Sequence, residues 1–558
     1  MIGRLAPWVA AAAAEWALAA GTAEPPLLGQ GLGELLIFGL LGLAQARLAP
    51  ADWRGSSLWP AILLVAAAGA RAPQASVLLL GPLALGVAVV AARVGHDLLG
   101  RLPALPVGLM SALLGAVLAR AVVLFTNPVA LPERELLAEL VALGPAPARV
   151  EGPGGPPVVV ITVDTLRADH MVQMAAYRRL AAQGSAFPRA MSTSSWTVPS
   201  LASLWTGRSP AEHGAAGHDR SRFTPIRPDV PHLAEELAAR GYATAAFVAN
   251  PFLAPELGFS RGFARWSNPD QQIAQPLAFL GRRPGPGPLE GSRVVDRAVD
   301  WLDGAPQRDF LLWVHLFDCH LPYRHLAEGD PAAAVRSPVA VRTGELPVDS
   351  ALQAAVKRAY AAEVAYDDAE VMRLLDVLEG RGFFAEGGLL VFTADHGEEL
   401  WDHGSFEHGH SHHGEVVDVG LVIVGPGLAA GERSEVASLQ DVAPTIRSRL
   451  GLPGEGLDLG QGVPAGRAAT AAGNLYGAQQ TSARDGQHKG ILTHDESGVA
   501  LRLYDVVADP GERVEVAPAG QSILPVLRGV VLPEEIGEAA ILNQEALEAL
   551  GYVEGKGD

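Results

Sequence analysis

The 558-residue sequence predicts two unlike parts: a multi-span α-helical membrane region, then an α/β domain. Two observations carry this. Charges are sparse from Met1 to about Asn127, whereas the remainder has ordinary globular composition. Beyond Pro157, short β-branched runs alternate with helical patterns. The chain is 49% hydrophobic and 18% charged, with mean hydropathy +0.20, too apolar for an average soluble protein.

The first 127 residues divide into apolar runs at about Pro7–Thr22, Leu32–Leu48, Leu58–Ala70, Ala75–Ala92 and Ala104–Phe125. Several fall short of the roughly 20 residues a span ideally needs, and the third is broken or bounded by Pro60, Gly69 and Pro73. A cleavable signal peptide fits poorly, because hydrophobicity continues far past any cleavage point. With five spans, Arg4, Arg47, Arg54, Arg93 and Arg101 share one side, and Arg71 and Arg134 the other. The positive-inside rule makes the first side cytoplasmic. The expected location is the cell membrane, with the catalytic domain periplasmic or extracellular; loss of the third span would invert this. Residues 128–157 predict a juxtamembrane amphipathic helix within Pro128–Gly144 and a Pro/Gly-rich linker, GPAPARVEGPGGPP.

The net charge is −19, and Lys occurs only at positions 357, 489 and 556. That balance leaves no basic footprint for nucleic acid. The single cysteine, Cys319, excludes an internal disulfide framework and any multi-cysteine metal site. No P-loop or Rossmann fingerprint is present.

The α/β domain opens with Val158–Val163, a run suited to a strand buried on both faces of a parallel sheet. Asp164 follows it, at the carboxyl edge where such sheets place ligands. Further strands are expected at Ala243–Ala249, Phe310–Leu316, Leu389–Thr393 and Val419–Val424, with helices at His232–Arg240 and Tyr360–Leu378. Asp395 and His396 lie just past the fourth strand and are suitable ligands for zinc, manganese or a similar divalent ion. Thr197 stands just ahead of Pro199, where a helix should begin. A hydroxyl there faces unpaired backbone N–H groups and the positive end of the helix, and beside a metal it becomes a nucleophile. Each residue alone has a bland reading, a helix cap for Asp164 or Thr197; together they do not.

Together these residues resemble the sulfatase branch of the alkaline phosphatase superfamily. VDTLRADH resembles its first metal-binding strand end, TVPSLASLWTGR its nucleophile signature and FTADHGEELWDHG its second metal segment. HGHSHHGEVVDVGLVIVGPG resembles the histidine-bearing stretch that follows. RGYATAAFVANPFL, VHLFDCHLPY, YAAEVAYDDAEVMRLLDVL, LQDVAPTIRSRLGLP, LYDVVADPGERVEVA and LEALGYV extend the likeness to Tyr552. The resemblance implies a catalytic domain over 158–473 and a small antiparallel subdomain over 474–558, with strands near Gly490–Thr493 and Leu501–Tyr504. It implies one divalent ion (Zn, Mn or Ca) held by Asp164, Thr197, Asp395 and His396.

Four departures bear on chemistry. Thr197 replaces the Cys or Ser that family sulfatases convert to formylglycine, and threonine cannot yield that aldehyde. Leu201 replaces the signature Arg, Thr165 a second metal-binding Asp, and Asn250-Pro251 the Gly-Lys motif. Groups to steady the anion are expected among Arg208, His213, His320, His410 and His408, with His410 aligned best and His403 a lesser candidate. The expected activity is hydrolysis of phosphate or sulfate esters, free or lipid-linked, through Thr197. Phosphotransfer of a phospholipid headgroup to an alcohol, as in phosphoethanolamine transferases or lipoteichoic acid synthases, is the alternative. A non-catalytic scaffold is the third reading.

Overall fold

The computed structural model describes residues 155–219, 222–268, 290–336, 338–496, 498–518 and 522–533. The five apolar runs, Pro128–Gly144, most of the linker, residues 269–289 and the closing LEALGYV lie outside the described residues. Among the described residues no helix is long and apolar enough to cross a membrane.

An eight-stranded sheet organises the catalytic domain. In chain order its strands are β1 (Val158–Val163), β2 (Ser185–Met191), β3 (Ala243–Val248), β4 (Arg265–Ser267), β5 (Phe310–Leu316), β6 (Leu389–Ala394), β7 (Asp418–Val424) and β8 (Gly431–Glu432). Their spatial order is β8-β2-β7-β6-β1-β5-β3-β4. β1, β5 and β6 are buried along their whole length, as their apolar runs require. The β4–β3–β5–β1–β6 half is parallel. β7 runs antiparallel to both β6 and β2, so the sheet is mixed.

Register is what builds the site. Val163 of β1 lies opposite Leu316 of β5 on one side and Ala394 of β6 on the other. Val248 of β3 lies opposite His315. Four strands therefore end together, and Asp164, the turn after Leu316, Asp395 and Asn250 leave the sheet at one edge.

The helix at Tyr360–Leu378 is longer than predicted. It runs from Ser350 to Gly380, with Asp349 accepting the Leu352 N–H at 2.8 Å as its cap. The other helices used below are Thr197–Thr206, Leu233–Ala238 and Gly291–Gly304, here α1, α2 and α3; the long helix is α4. β2 has no counterpart in the sequence reading. Its Pro188 sits where the β2–β7 pairing slips: Phe187 faces Leu421 and Ala190 faces Val419, so Pro188 and Arg189 share the place of Gly420. A bulge tolerates a proline that a regular ladder would not.

The C-terminal sheet is an antiparallel meander of β9 (Ala469–Ala472), β10 (Gln479–Arg484), β11 (His488–Asp495) and β12 (Gly498–Asp505). It starts five residues before position 474 and contains both expected strands. It is tied to the main sheet by an ion pair from Asp418 of β7, itself paired with Arg189 of β2 at 2.5 Å, to Arg484 of β10 at 2.7 Å, and by Ala469 and Ala471 of β9 packed against Met191 of β2.

Candidate active site

The strand ends converge on a buried polar cluster. Asp164, Asp395 and His396 are each 0% exposed, and one ligand atom from each lies within 4.8 Å of the others. His396 Nδ1 faces the Gly397 carbonyl at 2.9 Å, so this nitrogen carries the proton and the Nε2 lone pair points inward. Nε2 stands 3.3 Å from Asp395 Oδ2 and 3.8 Å from Asp164 Oδ1. Both of those oxygens are buried and accept no hydrogen bond. Ligands about 2.1 Å from a tetrahedral ion lie roughly 3.4 Å apart. Two orphaned carboxylate oxygens and an inward lone pair at such spacings fit a divalent cation.

Burial pushes Asp164 up, but the His315 hydrogen bond and the neighbouring His396, His320 and His315 imidazoles outweigh it and hold Asp164 at about 2. Burial, and then the Asp164 charge, push Asp395 up to about 6. Thr165 stands between them in left-handed backbone (φ 54°), and its N–H donates to Asp395 Oδ1 at 3.2 Å. A β-branched residue there costs about 1–3 kcal/mol, and such strain gathers at functional sites.

Thr197 is the first residue of α1, whose cap position, Trp196, contributes no side-chain bond. The free N–H groups of that turn favour an anion. Thr197 Oγ1 lies 3.3 Å from His396 Nε2 and 3.4 Å from Asp164 Oδ2. Asn250 completes the group. Its Nδ2 donates to Asp164 Oδ2 at 2.5 Å and to Thr197 Oγ1 at 3.4 Å, while its Oδ1 accepts the Phe252 N–H.

Two imidazoles close the site from the side. His320 is stacked on Phe317, and its ring centre is 5.1 Å from that of His408, which is itself 4.5 Å from His396. His320 Nδ1 donates to the Leu321 carbonyl at 2.6 Å, and His408 Nδ1 meets Glu398 Oε1 at 3.1 Å. Burial pushes both imidazoles below the usual histidine range.

The sequence model of a family described as Sulfatase matches residues 156–452, more than half of the chain. The chain belongs to the sulfatase family. Choline-sulfatase of Rhizobium meliloti (strain 1021) is 34% identical over 96 residues, 17% of this chain and 18% of that protein. The chain thus matches under a fifth of the length of that curated relative. One similar fold is that of a protein solved with its substrate D-glucosamine-2-N,6-O-disulfate, at TM-score 0.53 and 18% identity, covering 67% of this chain and 96% of that one. Another is the phosphonate monoester hydrolase of Agrobacterium radiobacter, at TM-score 0.50 and 21% identity, covering 67% and 94%. These structural likenesses show the fold.

Within the sulfatase fold, the predicted residues separate into two groups. Asp164, Thr197, Asp395, His396, His320 and His408 come together. Arg208 does not: it follows α1, a ten-residue helix and so about 15 Å long, at the end opposite Thr197. Its guanidinium pairs with exposed Glu455 at 3.2 Å. His410 points away, its Nε2 3.1 Å from Glu399 and its Nδ1 3.1 Å from the Tyr476 hydroxyl. The glycine between His408 and His410 has φ 81°, which turns the chain between the two rings. His213 is a buried neutral pin between Ser203, the Pro199 carbonyl and the Ala215 N–H, pushed down to about 3 by burial. His403 bonds Glu415 and the Glu512 carbonyl, and Leu201 is wholly buried in the core.

Two residues were missed. Asn250 had been counted only as the loss of a Gly-Lys motif. His315, hidden inside an apolar strand, donates toward Asp164 Oδ2 at 3.2 Å. Its alternation with Trp313 on one face of β5 was the available signal.

Proposed function

We propose that this sulfatase-family chain is a metal-dependent hydrolase of phosphorus esters that uses Thr197 as nucleophile and is anchored by its N-terminal apolar runs. The observation that carries the reading is the placement of Thr197 Oγ1 at a helix N-terminus, 3.4 Å from Asp164 and 3.3 Å from His396. Asp164, Asp395 and His396 would hold the ion, with Thr197 as a further ligand. A bound divalent ion would supply Lewis-acid stabilisation and an acidified hydroxyl.

The residues of the chain do the rest. Asp164 Oδ2 accepts the Thr197 hydroxyl, and Asn250 Nδ2 steadies the oxygen that remains once the proton leaves. Thr197 Oγ1 attacks phosphorus, forming one P–O bond as the ester P–O bond breaks. His408 can donate from Nε2 to the anion or to the departing oxygen, whereas His320, neutral with its proton on Nδ1, offers only its Nε2 lone pair. Water then cleaves the Thr197–phosphoryl bond and frees the nucleophile. Phosphorus is favoured over sulfur because threonine cannot become formylglycine.

Charge narrows the substrate. Asp164 and Asp395 balance one divalent ion, while burial keeps His320 and His408 neutral. A monoanionic ester, such as a phosphodiester or a phosphonate monoester, suits that balance better than a dianionic phosphate monoester.

The test is turnover of matched aryl phosphodiester, phosphonate monoester, phosphate monoester and sulfate ester by detergent-purified full-length protein, beside Thr197→Ala. Phosphodiester or phosphonate turnover that the variant lacks, with a phosphorylated Thr197 trapped by rapid quench, is expected. Sulfate turnover exceeding all three phosphorus esters would overturn the reading. Product recovered on an added alcohol, with none on water, would assign phosphotransfer instead.

A further inference from the structure

A second group of ionisable side chains lies behind the strand end that carries His320. Asp318 stands just after β5, two residues before His320. Glu363 and Asp367, one helical turn apart on α4, face it, and His325 comes from the loop beyond. Asp318, His325 and Glu363 offer ligand atoms that all lie within 4.8 Å of one another. Asp318 is 4% exposed, and Glu363 and Asp367 are 0% exposed.

Some of these atoms have ordinary partners. Glu363 Oε1 accepts the backbone N–H groups of Arg324 and His325, and Glu363 Oε2 lies 2.5 Å from His325 Nδ1. Asp318 Oδ2 accepts the Gly291 N–H at 2.8 Å, and Asp367 Oδ2 accepts the Cys319 thiol at 3.2 Å. Asp318 Oδ1 and Asp367 Oδ1 are buried and have none. Gly291 marks where they converge: a Cβ there would stand 2.8 Å from Asp318 Oδ2 and 3.2 Å from Asp367 Oδ1.

Three buried carboxylates around one imidazole, with Arg324 as the nearby cation, carry an excess of negative charge, and each such buried ion is costly to desolvate. Protons are one remedy: burial pushes Asp318 up to about 6 and Asp367 well above the usual range. A cation is the other, and it also accounts for the two orphaned oxygens and for the half-buried His325 at the rim, 29% exposed, as an entry point.

We propose that Asp318, Glu363 and His325 bind a second divalent metal, apart from the Asp164–Asp395–His396 centre, with the Asp367 carboxylate beside them. Hard carboxylate oxygens with one imidazole suit Mn²⁺ or Zn²⁺. The ion joins the turn after β5 to α4.

The experiment counts metal on the full-length protein. Protein stripped by chelator is reloaded with Mn²⁺ or Zn²⁺, desalted and assayed by plasma mass spectrometry. Close to two equivalents are expected for the wild type, one each for Asp395→Asn and Glu363→Gln, and near zero for the double variant. His325→Ala should weaken the second ion at least about tenfold. One equivalent in both the wild type and Glu363→Gln would overturn the proposal and leave a proton-sharing carboxylate cluster. Should Glu363→Gln fail to fold, Asp395→Asn decides, because it leaves the second cluster intact: a folded Asp395→Asn without metal refutes the site. Metal counts do not depend on turnover, so failure of the hydrolase reading and absence of the second ion are separate results.

Discussion

Thr162→Val tests how the site is aimed. Trp313 Nε1 can only donate, and it reaches Thr162 Oγ1 at 2.9 Å. The Thr162 hydroxyl is therefore free to donate its own proton to His315 Nδ1 at 2.8 Å. That leaves the imidazole proton on Nε2, 3.2 Å from Asp164 Oδ2, where it can bond the carboxylate. The other tautomer would set a lone pair against the carboxylate. Valine keeps the shape of threonine and removes both bonds. Two hydrogen bonds at about 1 kcal/mol each, and a Trp313 N–H left unsatisfied in the core, sum to a loss of about 2–4 kcal/mol in stability. With His315 free to take either tautomer, Asp164 loses its fixed orientation, and metal affinity and kcat/KM should each fall about 10- to 100-fold. Metal titration, ester turnover and thermal melting of the full-length protein measure these quantities together. Thr162→Ser should restore affinity and rate while leaving a small packing defect. A folded Thr162→Val with metal affinity and turnover within twofold of wild type would refute the relay.

Thr197→Ala should abolish turnover by at least about 10³-fold without lowering the melting temperature by more than a few degrees, whereas Thr197→Ser keeps measurable rate; equal rates in Thr197→Ala would exclude the hydroxyl as nucleophile. Arg208→Ala should leave kcat/KM within about twofold, since the guanidinium is spent on an exposed pair, and a hundredfold loss would return Arg208 to the site. Asp418 carries the pH dependence of the joint between the sheets. Burial raises its pKa, but Arg484, Arg189 and Lys489 outweigh this and hold it at about 2, against 3.8 unperturbed. Its contribution is then complete above pH 4 and lost as the pH falls toward 2, so the stability gap between wild type and Asp418→Asn should narrow by about 2 kcal/mol between pH 5 and pH 2. A constant gap in melting curves across that range would disprove the pairing.

The β3, β5, β1 and β6 strands of the parallel half were legible because they are buried on both faces and read as unbroken apolar runs, whereas the short, half-exposed edge strand β4 was not. Val158–Val163 and Phe310–Leu316 match β1 and β5 residue for residue. Ser185–Met191 was not legible: it holds Ser, Pro and Arg, and it is a strand only because a bulge absorbs Pro188. The direction of β7 was hidden for a different reason. Its run Val419–Val424 looks like its neighbours, and reversal depends on which edge the connection crosses, a property of the path and not of the residues. The 31-residue span of α4 outran its prediction because Ser350–Ala359 is rich in alanine, which supports a helix without marking a face.

The site divides along similar lines. Asp164, Asp395 and His396 were legible because each follows a recognisable strand, and matching strand lengths then carry them to one edge. Choosing between His408 and His410 required the backbone: two residues apart, they differ by the left-handed turn at Gly409, which sends one ring to His396 and the other to Glu399 and Tyr476. Arg208 shows the converse error. Closeness in sequence to Thr197 suggested closeness in space, but a helix of ten residues intervenes, and helices separate what sequence joins. Asn250 and His315 belong to the site for the opposite reason, since register alone aligns β5 beside β1 and β3 one strand further out. His315 in particular sits in an apolar strand where a polar residue has to be satisfied by something. That requirement was readable as a demand for partners; that the partners are Thr162 on one side and Asp164 on the other follows only from the pairing of β1 with β5.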